Sequence, residues 1–455
     1  MLCIAVILSA LAYGTVHYWS LALFELGACS IVLLWAVDAW RSRTFRISSS
    51  LLQIPLVGLL LLGVVQLLPI RSAGDGGGLS TVSSLSIDPY STRLALVQIV
   101  ALLIYFAAAL AFIDSPKRLR LIVRTLIVFG FMLALLGIIQ YFTSPNKIYW
   151  LKDMPQSEPF GPFYNRHHFA GYMELLIALP LGLVLSGAIE RDKQLLYIFA
   201  ALLIGGALIM TGSRGGLISL MAEAVFIIAF TRFKRADSAP SEKKSSRVRS
   251  ALTRVGLALA LVIVMVGGAV LFGGEAALSR MLGTVNSSDP STGRAHFWGV
   301  TLQIIKHQPL IGSGLGSFGL AYTRYDTRNG ETRLEQAHND YLQTMSDAGM
   351  VGAGLGLVFI IVLFRSGFAR RETRDTFRQG VAIGALAGCF GVLVHSFFDF
   401  TLHTTANALL FLILAALATL DGRVEKVSRP RRRRRRRQLT KQPAVPKISE
   451  RSAVS

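Results

Sequence analysis

The chain has 455 residues, 52% hydrophobic and only 16% charged, with a net charge of +21 and a mean hydropathy of +0.52. That balance excludes a water-soluble globular domain. The three cysteines, Cys3, Cys29 and Cys389, all lie inside apolar runs and read as small core residues, which excludes a disulfide framework or a cysteine metal site.

Apolar runs recur along the chain, each long enough to cross a bilayer as a helix. Lipid admits helices or a closed barrel, and these runs lack the alternation of barrel strands. The expected fold is an all-α polytopic membrane protein with about twelve transmembrane helices. In order, spans are expected near 2–18, 20–38, 51–69, 94–113, 121–141, 167–187, 195–211, 215–231, 251–273, 349–364, 379–398 and 405–420. The first segment lacks a basic n-region and reads as a span, not as a cleaved signal.

The basic loops give the orientation. Arg41, Arg43 and Arg46; Lys117, Arg118 and Arg120; Arg191 and Lys193; the 232–249 loop; Arg365 to Arg378; and the run Arg431–Arg437 all fall on one side. The positive-inside rule makes that side cytoplasmic, with both termini inside. The chain divides into a membrane domain over 1–422 and a cytoplasmic, polybasic, disordered tail over 423–455. Beside a membrane, the tail's arginines suit anionic lipid and not nucleic acid.

Four segments then lie outside: 70–93, 142–166, the turn around Gly212–Gly216, and 274–348. The last is a large outside hairpin between the ninth and tenth spans. Arginines there oppose the sorting rule, so each needs a reason. Arg166 lies in GPFYNRHHFAGYMEL, Arg214 in TGSRGG, and Arg294 at the start of an amphipathic helix, against the helix dipole. Singly, each reads as an interfacial arginine snorkelling to water. Together they look like an anion site, because guanidinium binds phosphate bidentately and keeps its charge. The glycines of TGSRGG also let backbone N–H groups approach a phosphate.

Within the hairpin, Gly293–His307 is expected to be a helix with Phe297, Trp298, Thr301, Ile304 and Ile305 on one side. Ser291 or Thr292 would cap it and Pro309 stops it. A second helix, about Glu335 to Ala348, would place His338, Tyr341, Leu342 and Met345 on one face, with Gly349 as C-cap. An interfacial loop that only ties spans together would account for the same pattern. GSGLGS, from Gly312 to Ser317, has no preceding strand and reads as a flexible turn, not a dinucleotide loop. His395, Asp399 and His403 recur every four residues and would share one face of a continuous helix. A polar cluster around a water-filled cavity suits them better than a metal site. Glu174 and Glu223 lie within spans, each a candidate buried partner for an outside arginine.

Five blocks, in order, carry a resemblance: GPFYNRHHFAGYMEL, TGSRGG, GRAHFWGVTLQIIKHQPLIGSGLGSFG, AHNDYLQTMSDAG and HSFFDFTLHTTANALLF. They resemble the O-antigen ligase family, whose wider group includes O-antigen and exopolysaccharide polymerases and protein O-oligosaccharyltransferases. The resemblance spans residues 90–420, and its most specific element is His338-Asn339-(x)2-Leu342-(x)6-Gly349 followed by a span. It implies a GT-C-like, inverting glycosyltransferase of the bacterial inner membrane that uses neither metal nor other cofactor. The donor would be an undecaprenyl-diphosphate-linked glycan and the acceptor lipid A-core or another glycan at the periplasmic face. Arg214 and Arg294 match the arginines that hold the diphosphate, and Arg166 joins them on charge. His338 matches the general base, while Asp399, Asn339, His167 and His168 are further candidates for orienting the base or meeting the acceptor. The residue types fit the chemistry: cations stabilise a departing diphosphate, and a base of near-neutral pKa suits a sugar hydroxyl. Ligase, polymerase and protein glycosylase share this donor chemistry. The rival class is a transporter of the same lipid-linked sugars, although no repeat relates the two halves of the chain.

Overall fold

The computed structural model describes residues 1–72, 82–155, 157–236, 256, 294–328, 334–370, 373 and 375–425. Among them, α1 is Leu2–Leu11, α2 Tyr18–Ser42, α3 Gln53–Gln66, α4 Pro89–Phe112, α5 Pro116–Thr143, α6 Arg166–Leu185, α7 Arg191–Met210 and α8 Arg214–Ala236. After residue 293 come α9 Arg294–His307, α10 Phe318–Tyr325, α11 Asp340–Arg370, α12 Thr376–His395 and α13 Thr405–Thr419. Strand among the described residues is confined to two short antiparallel ladders, Arg71–Ser72 with Val82–Ser83 and Lys147–Ile148 with Lys152–Asp153.

Seven helices among the described residues are long and apolar enough to cross a membrane: α2, α4, α5, α6, α7, α11 and α12. The protein is an all-α polytopic membrane protein. The expected first span, 2–18, is helical only over Leu2–Leu11, because the chain turns through left-handed backbone at Tyr13, Gly14 and Thr15. The expected ninth span at 251–273, the 232–249 loop beyond residue 236, the caps Ser291 and Thr292, and the tail from 426 lie outside the described residues.

Local chemistry sets several helix starts. Asp88 caps α4 by accepting from Tyr90 N and Ser91 N, and Ser115 caps α5 by accepting from Arg118 N; each is followed by proline at the first helical position. Asn165 opens α6 by accepting from His167 N, and Asp375 opens α12 through Phe377 N and Arg378 N. Arg378, expected in a cytoplasmic loop, is buried instead. Its guanidinium donates to the carbonyls of Leu417, Ala418 and Leu420, so it caps the C-terminal end of α13.

The centre of the bundle is the pair α6 and α12. α6 is apolar around nearly its whole circumference and buried on all sides, as expected of a helix enclosed by others. The two run antiparallel along a seam of small residues. A side chain at Gly182 would strike the backbone of Gly380 and Gly384, and one at Gly384 would strike Ala178 O at 2.5 Å and Leu179 Cα at 3.1 Å. Four residues further along, Gly388 lies against Ala178 and Leu175. Such small-residue seams let backbones touch, which is how helices associate where lipid removes the hydrophobic drive. The same register continues to Glu174 opposite His395.

Because backbone atoms cannot yield, Gly384→Ala should cost roughly 1–3 kcal/mol of stability. The measurement is thermal unfolding of the detergent-solubilised protein. A melting temperature equal to wild type would mean that the α6–α12 seam is looser than drawn.

Candidate active site

Of the four described helices that open on an arginine, three do so at one site: α6 on Arg166, α8 on Arg214 and α9 on Arg294. All three side chains line one cavity of about 340 Å³, together with Glu158, His167, Ser213, His395, Phe398 and Asp399. The α7–α8 turn supplies Gly212, with φ +65°, and Gly215 to the same wall. An arginine at a helix N-terminus opposes the dipole, but the same terminus, with its free N–H groups, favours an anion.

Carboxylates temper this charge. Arg166 Nη2 lies 2.8 Å from Glu158 Oε2, and Arg294 Nη2 lies 3.7 Å from Asp399 Oδ2. Burial lowers the pKa of Arg294; Asp399 opposes that shift and Arg214 adds to it by repulsion across the cavity. Burial alone would raise the pKa of Asp399. The hydrogen bond from His338 and the neighbouring His167 and His168 outweigh burial and hold this carboxyl well below the usual carboxylate range.

Asp399 joins the cavity to His338. Its Oδ1 accepts from His338 Nδ1 at 3.2 Å and from Phe400 N at 2.9 Å, while its Oδ2 faces Arg294 and, at 3.9 Å, His167 Nδ1. A carboxylate accepts, so Nδ1 of His338 carries the proton and Nε2 is left as the basic nitrogen. The imidazole is walled by Phe400, edge-on at 4.9 Å, and by Phe297, stacked at 6.2 Å.

His338 does not sit on a helix, contrary to the expected 335–348 element. It has φ +50°, and α11 begins only at Asp340 because Asn339 caps it, accepting from Tyr341 N and Leu342 N. Gly349, at φ +62°, ends the helical run that starts at Asp340, as expected of a C-cap, and a second run follows it within α11; a side chain there would meet the backbone of Leu310 and Gly312. Asn339 also donates to Phe397 O, and Asp340 holds Ser396 Oγ, Leu402 N and His403 Nδ1. The 338–341 turn is therefore laced to the 393–403 segment.

His395, Asp399 and His403 do not share a helical face. α12 ends at His395, and a 3-10 turn over Thr401–His403 follows, so each residue takes its own partner: Glu174, His338 and Asp340. No group of three or more His, Cys, Asp or Glu with metal-binding geometry occurs among the described residues. Glu174 finds His395 and Ser219, not an arginine, and Glu223 has no hydrogen-bond partner for either oxygen among the described residues. The GSGLGS turn is not loose. Gln66 donates to Ile311 O and Asp347 O and accepts from Leu315 N, with Ser313 and Ser317 buried beneath.

His167 lines the cavity with Nδ1 2.9 Å from Ser213 Oγ, whereas His168 turns inward under Phe400. Ser213 and the Glu174–His395 pair escaped the sequence reading. The serine was visible within TGSRGG; the pair spans 221 residues and had no local signal.

Residues 199–357 match the model of the O-antigen ligase family. Over this segment, the chain is similar to the O-antigen ligase family. The matched region holds Arg214, Arg294 and His338, while Arg166, His167 and Asp399 lie outside it. No curated protein matches the chain significantly. That family implies a ligase- or polymerase-type glycosyltransferase activity, with a lipid-linked glycan as donor and a glycan acceptor.

A depressed carboxyl pKa stabilises the fold above the unfolded value of about 3.9, and that contribution is lost only as pH falls through the lower folded value. The melting-temperature gap between wild type and Asp399→Asn should therefore not narrow from pH 8 to pH 5. A gap that closes over this interval would mean that Asp399 protonates there.

Proposed function

We propose that the protein transfers a glycan from undecaprenyl diphosphate to an acceptor hydroxyl at the periplasmic face of the bacterial inner membrane, with lipid A-core as the acceptor. The observation that carries this reading is the convergence of Arg166, Arg214 and Arg294, each at a helix N-terminus, on one cavity beside His338. Three guanidiniums and three helix ends suit a diphosphate better than a neutral sugar.

In this reading the diphosphate lies among the arginines with the anomeric carbon directed toward His338. Nε2 of His338 takes the proton of the acceptor hydroxyl while the oxygen attacks the anomeric carbon from the face opposite the phosphate. The glycosyl–phosphate bond breaks, its electron pair stays on undecaprenyl diphosphate, and the anomeric centre inverts. Asp399 holds His338 in the correct tautomer and stabilises the imidazolium that forms. The arginines neutralise the charge developing on the leaving group, the role a divalent cation fills elsewhere, so the reaction proceeds without metal. His167, packed against Ser213 and further inside, belongs to the anion site.

Transfer from a defined lipid-linked donor tests these roles. His338→Gln should lose about 10²–10⁴-fold in rate while still binding donor, because an amide accepts no proton near neutral pH. Arg214→Lys and Arg294→Lys keep charge but lose the fork, and each should weaken donor use by about tenfold or more. EDTA should leave the rate unchanged. Wild-type transfer by His338→Gln would remove the base; wild-type donor use by both lysine variants would remove the anion site. Supplying lipid A-core or a second lipid-linked repeat as acceptor separates ligase from polymerase, and growth on the second would reassign the acceptor.

The same reading puts the α9–α10 region on the periplasmic side. A single cysteine at exposed Thr327, with Cys3, Cys29 and Cys389 replaced, should react with an impermeant maleimide in intact spheroplasts. Labelling only after membrane disruption would invert the orientation.

A further inference from the structure

One polar group in the cavity wall is left unused by these roles. His395, the last residue of α12, is buried to 1% side-chain exposure, and its Nδ1 lies 2.8 Å from Glu174 Oε1. Glu174 is fully buried too, and its second oxygen accepts from Ser219 Oγ at 2.7 Å. Ser219 Oγ also bonds Gly391 O, and a proton on Nδ1 of His395 points at the first oxygen of Glu174. The opposite edge of the ring lies against Gly215. A methyl group there would sit 2.8 Å from His395 Cδ2 and 2.9 Å from Nε2, and both residues line the arginine cavity. Nε2 itself has no hydrogen-bond partner among the described residues.

We propose that His395 is a fourth anion-binding group of this cavity, whose Nε2–H donates to a diphosphate oxygen while Glu174 holds the ring and its charge. The proposal rests on the diphosphate reading above and adds a residue to it. A neutral ring with Nδ1 protonated would turn a lone pair toward the phosphate, so a bound anion selects the imidazolium. Gly215 is the residue that lets the ring edge reach the wall. Glu174 is a positioning residue: it touches His395 and Ser219, and its effect on the anion passes through the imidazole.

The rival role is purely structural, a tie between α12 and α6 through the His395–Glu174 bond. Two amides separate the roles, because asparagine places its nitrogen near Nδ1 and glutamine near Nε2. His395→Asn keeps the tie and loses the donor in the cavity; His395→Gln does the reverse. Binding of inorganic pyrophosphate to the full-length, detergent-solubilised protein is the readout, with melting temperature as the check on folding. His395→Asn should weaken pyrophosphate binding by about ten- to a hundredfold, the effect of losing a charge-assisted hydrogen bond. His395→Gln, which keeps a neutral donor, should lose less than about tenfold.

Equal affinity in the two variants, or tighter binding by His395→Asn, overturns the proposal. Should His395→Asn fail to fold, Gly215→Ala takes its place, since a methyl there presses on the ring edge away from Glu174; wild-type binding by that variant overturns the proposal. Arg214→Ala guards the underlying reading. If it binds pyrophosphate as wild type does, or if wild type binds none, the diphosphate site itself is wrong. If Arg214→Ala loses binding while His395→Asn keeps it, only the role of His395 falls.

Discussion

Positive charge is concentrated where a membrane bundle can least disperse it. Arg166, Arg214 and Arg294 stand at the N-terminal ends of three helices, so each opposes its own helix dipole. Arg214 and Arg294 also repel each other across the cavity. Against them stand two carboxylates, Glu158 on Arg166 and Asp399 on Arg294. Desolvating several like charges is costly, and residues optimised for stability alone would not be placed this way. The arrangement makes sense when an anion completes it, and the rest of the fold can be understood as what holds these groups in place.

Two devices do that holding. The glycine seam along α12 brings α6 close enough for Glu174 to meet His395, which fixes the end of α12 relative to the start of α6. The 338–341 turn is then stitched to the loop after α12 by side chains and backbone alike: Asp340 N donates to Ser396 O, Asn339 to Phe397 O, and Tyr341 Oη to Leu393 O. The base candidate and its partner Asp399 thus ride on segments whose separation is set by many short bonds. A site built on element ends but braced in this way keeps its geometry better than one on free loops.

Much of this was legible in the sequence, for identifiable reasons. The apolar runs marked the helices because lipid demands continuous hydrophobicity. The arginines stood out because they broke the topology rule that otherwise sorts basic residues. Backbone conformation was the hidden part. His338 lies within a stretch that reads as helix, yet a left-handed residue followed by the Asn339 cap delays the helix start from 335 to Asp340. The four-residue spacing of His395, Asp399 and His403 suggested one face, but the chain leaves the helix after His395 and the spacing lost its meaning. Contacts such as Glu174–His395 and Gln66–Asp347 join residues more than two hundred positions apart and carry no periodic signal.

The division of labour among the histidines follows from what each nitrogen touches. His403 is held by Asp340; burial alone would lower its pKa, but that carboxylate outweighs burial and raises it, and the pair clamps the turn. His168 is turned under Phe400 and away from the arginines, and His167 bonds Ser213 within the anion cavity. His338 alone of these four pairs a carboxylate on Nδ1 with an aromatic wall of Phe297 and Phe400. Those rings offer apolar faces where a sugar's C–H surface can rest, and the carboxylate leaves Nε2 free to take a proton. Asp399 completes the logic, because one oxygen meets His338 while the other faces Arg294. A change in charge among the arginines would therefore be felt at His338 through a single buried carboxylate, and in the proposed function that couples occupation of the donor site to the readiness of the base.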